Sequence, residues 1–232
     1  MHDDREAPMR GLIFDFDGLI IDTELPAFQT WQEVYHEYGC ALSLSIYAQC
    51  IGSPGAFDPH AYLEAQLGRQ LDRDMIRVRH RRRYTELTQG QSILPGVLDY
   101  LTDAKRLGLK LGVASSSPRE WVVGHLVQFG LREHFDCITC ADDATRIKPD
   151  PELYRLALAA LDLYADQAIA LEDSPHGVLA AKRAGLFCVA VPNPVTRQLS
   201  LDHADLYLRS LADVPLEKLL MQVMQARENG SD

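Results

Sequence analysis

The chain has no apolar run approaching the roughly 18 residues that a membrane-spanning helix needs. Its charged beginning also has no apolar core of the kind that a secretory signal carries. These absences predict a cytoplasmic protein. Cysteine is scarce and odd in number: Cys40, Cys50, Cys137, Cys140 and Cys188 give no basis for a disulfide framework. Cys137 and Cys140 stand at CxxC spacing, but no second pair exists and both lie in an apolar, strand-like run. That context predicts buried packing rather than a zinc knuckle or a redox pair. Positive charge is the other shortage. Lysine and arginine number 23 against 33 aspartates and glutamates, a net charge of −10, which excludes nucleic acid and anionic membranes as partners. An anionic substrate would then need local neutralisation by a metal, a lysine or backbone amides. With 232 residues the chain can bury a core large enough for an α/β unit carrying a smaller insertion. Met1 to Pro8 reads as a frayed tail.

What the sequence does have is organised around Gly11 to Glu24. Leu12 to Phe14 is an apolar run that reads as a buried strand, and it stops at Asp15 and Asp17 with Gly18 behind them. An isolated Asp-x-Asp-Gly reads as a solvated turn. At the carboxyl end of a parallel strand, however, paired carboxylates sit where ligands bind, and buried acids require a cation or hydrogen bonds.

After Glu24 the pattern changes to helical spacing, with Leu25, Phe28, Trp31, Val34, Tyr35 and Tyr38 closed by Gly39. Cys40 to Gly55 reads as irregular, Asp58-Pro59 as the start of a helix ended by Gly68, and Asp72 to Thr88 as a strongly polar helix. From Leu94 onward strands and helices alternate, with strands at Lys110 to Ala114, Asp136 to Cys140, Ala168 to Leu171 and Phe187 to Val191. Three helices finish in Gly-Leu just before a strand, the left-handed cap with its following hydrophobic contact. Ala204 to Leu208 and Leu211 to Gln225 suggest a last strand and a closing helix. The reading is α/β: a Rossmann-like parallel sheet covered by helices on both faces, with an inserted all-helical domain. Residues 1–23 and 90–232 would form the core and 24–89 the insertion.

The strand-end rule then brings four polar clusters to one edge: Asp15 and Asp17, Ser115-Ser116-Ser117, Lys148, and Glu172-Asp173. Singly, Ser117 is a good N-cap, Lys148 a solvated loop charge and Glu172-Asp173 the approach to a capped helix. Together their carboxylates would repel unless neutralised, and an oxygen-only set without His or Cys suits Mg²⁺. The motifs Asp15-Phe16-Asp17-Gly18, Val113-Ala114-Ser115, Lys148-Pro149-Asp150-Pro151 and Leu171-Glu172-Asp173-Ser174 resemble, in order, those of the haloacid dehalogenase superfamily of phosphotransferases. Within it the chain is similar to the beta-phosphoglucomutase-like branch with a small helical cap, and the likeness covers nearly the whole chain.

The resemblance implies a Mg²⁺-dependent phosphatase, monomeric, acting on a small phosphorylated metabolite such as a sugar phosphate. Asp15 would be the nucleophile that forms an aspartyl-phosphate, and Asp17 the general acid and base. Asp15, the backbone carbonyl of Asp17, Asp173 and Glu172 would hold the metal, with Glu172 ligating directly or through water. Ser115, the amide of Ser116 and Lys148 would bind the phosphoryl oxygens. The insertion would be a closing cap, hinged near Thr23 to Pro26 and Gln89 to Pro95. Trp31 fits the core of that cap, and the run Arg77 to Arg83 fits a solvated helix face better than a substrate clamp. A sugar-phosphate mutase uses the same core, but Ala27 falls where the mutases of this branch carry a cap histidine, and Gly55 where they carry a loop arginine. A dehalogenase would not need Asp17 or the acidic pair, and a non-catalytic phosphate-binding module would not need complete motifs.

Overall fold

The structure, a computed structural model, describes residues 8–52 and 57–230. Residues 1–7 of the expected tail lie outside it, as do Ser53 to Gly55 of the loop in which a mutase arginine would fall. The strands are β1 (Gly11–Phe14), β2 (Lys110–Ala114), β3 (Cys137–Thr139), β4 (Ala168–Glu172), β5 (Phe187–Ala190) and β6 (Leu206–Tyr207). They form one parallel sheet in the order β3-β2-β1-β4-β5-β6. The order reverses direction beside β1, and such a switch point leaves a crevice outside the carboxyl ends of the strands.

Alternation along β1 explains why both faces are covered. Leu12 and Phe14 point to one side, where they pack with α6 (Val97–Arg106), α7 (Arg119–Gln128) and α10 (Leu216–Gly230). Ile13 points to the other, against α8 (Glu152–Leu161) and α9 (Pro175–Arg183). Each large apolar side chain buried this way contributes about 1.5–3 kcal/mol. The three Gly-Leu stops are present as expected. Gly108, Gly130 and Gly185 take φ of 71°, 69° and 86°. The following leucine amides, of Leu109, Leu131 and Leu186, return to the carbonyls of Ala104, Leu126 and Ala181. Each helix is thereby turned back into the next strand.

Between β1 and α6 the described residues form five helices: α1 (Glu24–Glu37), α2 (Leu44–Tyr47), α3 (Gln49–Gly52), α4 (Pro59–Leu67) and α5 (Arg73–Gln89). The two short ones occupy the stretch read as irregular. Four residues are too few to display a 3.6-residue period, and the local signal is the Ser43 hydroxyl, which accepts from the Ile46 amide. The block has its own hydrophobic cluster of Phe28, Trp31, Val34, Tyr35, Leu63 and Ile76, closed from outside by Val195. Trp31 therefore packs in the interior of the block. The two chain segments that join the block to the sheet run side by side: the Leu94 amide donates to the Ile20 carbonyl at 2.9 Å, and Ile21 bridges Ile93 in antiparallel fashion. Among the described residues no helix is long and apolar enough to cross a membrane.

Candidate active site

Asp15 is the first residue past β1, and its amide still donates to the Leu171 carbonyl of β4 at 2.9 Å. The carboxylate is buried and bonded to Lys148, whose Nζ lies 2.5 Å from Asp15 Oδ1 and 2.6 Å from Glu172 Oε1. Lys148 is not the solvated loop charge that its position taken singly would suggest, since it is only 8% exposed. Its environment is made by β1, β4 and α8 together, and Tyr154 of α8 lies under the ammonium at 5.0 Å. Glu172 is the last residue of β4 rather than part of the loop after it, and it is fully buried. Its oxygens take the Lys148 ammonium, the Tyr154 hydroxyl at 2.6 Å, the Asp173 amide and the Ser174 hydroxyl. A side chain at Gly177 would collide with this carboxylate, so only glycine lets α9 approach so closely.

Asp173 is held by the Asn193 amide at 2.7 Å, and the same Asn193 nitrogen reaches the Gly18 carbonyl. Gly18 takes φ of 80°, and a Cβ there would strike both Asp173 and Asn193. Carboxylate oxygens of Asp15, Glu172 and Asp173 lie within 4.8 Å of one another. Burial pushes the Asp15 carboxyl up to about 7; Lys148 opposes the shift, while the Glu172 and Asp17 charges add to it. Burial, then Asp15 and Glu172, hold Asp173 well above the usual carboxylate range. The cluster is thus short of positive charge, and its all-oxygen donor set fits a hard divalent cation such as Mg²⁺. Among the described residues Asp15 Oδ2 and Asp173 Oδ1 accept no hydrogen bond, whereas Glu172 is fully engaged.

Asp17 contributes no carboxylate to that cluster. Its side chain turns toward the start of α7, where the Ser117 hydroxyl donates to Oδ2 at 2.6 Å and the Trp121 indole N–H to Oδ1 at 2.9 Å. Ser117 is therefore not the N-cap of α7, a position taken by Pro118. Ser115 lies beneath, 3.5 Å from Asp17 Oδ2, and accepts from the Ser117 amide. The buried Ser116 hydroxyl has no partner among the described residues and lines the cavity, so a donor stands ready for a ligand oxygen. The edge brings together Asp15, Asp17, Ser115, Ser116, Lys148, Glu172 and Asp173. It adds Trp121, Tyr154 and Asn193, which the pattern of the sequence does not disclose. Trp121 lies in the apolar spacing of α7, yet its ring also stacks on Tyr84 of α5 at 5.5 Å. It is thus a contact between sheet domain and helical block.

The open cavity over this edge has a volume of about 1040 Å³, and its wall includes Glu24, Ala27 and Tyr84 from the helical block. Burial, reinforced by Asp17, Asp22 and Asp15, pushes the Glu24 carboxyl up to about 8. A buried carboxylate paired with a lysine, an acidic cluster short of positive charge and a hydroxyl without a partner among the described residues, all at a switch point, suit an α/β enzyme that binds an anionic group beside a cation.

The comparisons narrow this class. The family model of haloacid dehalogenase-like hydrolases matches residues 12–191, and the chain belongs to that family of enzymes. It is 45% identical to YhcW of Bacillus subtilis strain 168, a protein provisionally named a phosphatase, over 91% of this chain and 96% of that one. It is 31% identical to the phosphorylated carbohydrates phosphatase of Thermotoga maritima, over 77% and 82% of the two chains. Among solved structures, CbbY from Rhodobacter sphaeroides in complex with phosphate superposes with a TM-score of 0.68 at 31% identity, covering 88% of this chain and 96% of that one. A Thermotoga maritima structure provisionally described as a beta-phosphoglucomutase gives a TM-score of 0.72 at 25% identity, covering 94% and 99%.

Proposed function

We propose that the protein is a Mg²⁺-dependent phosphatase that hydrolyses small phosphomonoesters, sugar phosphates among them, through an aspartyl-phosphate. The observation that carries this reading is the Asp15 carboxylate. It lies at the switch point with one oxygen held by Lys148 and the other accepting no hydrogen bond among the described residues, and the partnerless Ser116 hydroxyl faces the same cavity. The names of YhcW and of the Thermotoga phosphatase support the same activity.

Asp15 attacks phosphorus, so that a new O–P bond forms while the bond to the leaving oxygen breaks. Asp17 passes that oxygen a proton. Water then attacks the phosphorus, Asp17 takes its proton, and inorganic phosphate departs with the aspartate restored. Ser117 and Trp121 orient Asp17 for both transfers. Lys148 and the Ser115 and Ser116 region offset and hold the phosphoryl oxygens. Asp15, Asp173 and the Asp17 carbonyl would hold Mg²⁺, whose charge offsets that of the phosphoryl group. Glu172, taken up by Lys148 and Tyr154, fixes that lysine and serves the metal indirectly.

Residues 24–89 act as a cap over the core formed by 1–23 and 90–232, with the paired segments near Ile21 and Ile93 as the hinge region. The protein works as a monomer in the cytoplasm, where its free thiols are at home. The mutase reading has less support, because Ala27 lies on the cavity wall at the place of the mutase histidine. Release of phosphate from an aryl phosphate with Mg²⁺, and its loss with chelator, tests the enzyme against a silent binding module. A panel of sugar phosphates then identifies the substrate, and isomerisation of β-glucose 1-phosphate outpacing phosphate release would favour the mutase.

A further inference from the structure

One arginine in the basic run of α5 differs from its neighbours. Arg77 pairs with Asp74, Arg79 with Glu37, Arg82 with Glu86, and Arg83 with Glu33 and Glu86. Among the described residues Arg81 has no carboxylate partner. It is also the one member of the five that lines the cavity, together with Tyr84, Thr85 and Gln89. The spacing i, i+3, i+4, i+8 makes this a single face of α5 turned to the catalytic edge.

The balance of charge on the cavity wall gives this placement a consequence. Asp15, Asp17, Glu24, Glu120 and Asp173 bring carboxyl groups to the wall, and Lys148 is already shared between Asp15 and Glu172. Arg81 is thus the one lysine or arginine on that wall, among the described residues, with its donors free for an incoming anion. A guanidinium with five uncommitted N–H groups matches the paired oxygens of a carboxylate or a phosphate. The cavity, at about 1040 Å³, lies just above the roughly 300–1,000 Å³ usual for small-molecule sites. A transferring phosphoryl group fills little of it, which leaves room for the leaving group to extend to α5.

We propose that Arg81 recognises a second anionic group, a carboxylate or a further phosphate, at the end of the substrate remote from the transferred phosphoryl group. The inference rests on the phosphatase reading above and adds the substrate class: small phosphomonoesters with two separated anions. Of the other four arginines of the run, Arg79 and Arg83 tie α5 to α1 while Arg77 and Arg82 pair within α5, and Arg81 reads the ligand.

Phosphate release with Mg²⁺ is compared on two matched pairs: glucose 6-phosphate with 6-phosphogluconate, which adds a carboxylate, and fructose 6-phosphate with fructose 1,6-bisphosphate, which adds a phosphate. The two-anion member of at least one pair should be favoured about tenfold or more in kcat/KM, the scale of a charge-assisted hydrogen bond, and the pair that shows it identifies the anion. Arg81→Gln should remove most of that preference, chiefly through KM, and Arg81→Lys should restore part of it. Arg82→Gln takes the same charge from the same helix and should leave the preference in place. Equal or reversed turnover of the members in both pairs overturns the proposal, as does equal loss of preference in Arg81→Gln and Arg82→Gln. If no phosphate is released even from an aryl phosphate, the phosphatase reading itself fails. Arg81 is then judged by calorimetric binding of the same pairs to the Asp15→Asn chain with and without Arg81→Gln, and indifference to the second anion there overturns the inference.

Discussion

The edge of the sheet and the helical block above it carry charge in opposite ways. At the edge, Asp15, Lys148, Glu172 and Asp173 are buried, and each meets a partner from a different strand, helix or loop at hydrogen-bond distance. On α5, Arg77, Arg79, Arg82 and Arg83 pair in or near solvent with carboxylates of α1 or of their own helix. A desolvated charge network keeps one geometry, because any lost partner leaves a costly orphan. A solvated one can rearrange at little cost. The proposed function would place the chemistry in the first network and the choice of substrate in the second.

The contrast is sharpest at Asp15. Asp15→Asn deletes the proposed nucleophile without removing core volume, so activity should fall on the order of 10⁴- to 10⁶-fold while the circular dichroism spectrum stays native. Substantial Mg²⁺-dependent turnover in that variant would move the chemistry away from β1. Asp17→Asn should cost about 10²- to 10⁴-fold on a sugar phosphate and less on an aryl phosphate, whose leaving group needs little protonation. An equal loss on both would contradict the acid role.

Lys148→Ala extends the comparison to stability. A lysine that only added charge to a loop would be removed harmlessly, but this one separates two buried carboxylates. Its loss should lower the unfolding free energy by about 3–5 kcal/mol along with activity, measured by urea denaturation. On α5, Arg83→Ala breaks ion pairs to Glu33 and Glu86 that lie in solvent, and it should leave the urea midpoint almost unchanged. If the two variants were equally destabilised, the proposed division between buried and solvated charge would not hold.

Glu24, at the junction of the two regions, gives the smallest and most pH-specific effect. Its carboxyl is pushed from an ordinary 4.5 up to about 8, so across that window the folded chain binds more protons than the unfolded one. The stability this contributes is complete below about 4.5 and is lost as pH rises toward about 8. Glutamine does not titrate. In chelator, the melting temperature of Glu24→Gln relative to the parent chain should therefore rise with pH across that window, and a constant difference would place Glu24 in solvent.

Much of the catalytic edge was legible before any coordinates. Three of the four polar clusters directly follow an apolar run and the fourth, Lys148, lies in the loop beyond one; a parallel sheet sends all such ends to one side, so order along the chain became proximity in space. The Gly-Leu stops were legible for the same reason, since a left-handed cap is decided by residues in immediate succession. Trp121, Tyr154 and Asn193 were not. Trp121 meets Asp17 across 104 positions of sequence and Asn193 meets Gly18 across 175, and nothing local distinguishes an indole that packs from one that also donates. The short α2 and α3 were missed because a single turn has no period to read.

By itself the sequence determined the α/β architecture, the helical insertion after the first strand and the set of oxygen donors, because propensity, periodicity and capping act over a few residues. Only the tertiary structure decided that Lys148 is buried between Asp15 and Glu172, that Asp17 leans on Ser117 and Trp121, and that Arg81, without a carboxylate partner among the described residues, lines the cavity. Burial and pairing are properties of the space between elements. The Lys148 ammonium can leave water because two carboxylates, one just past β1 and one at the end of β4, are held to receive it.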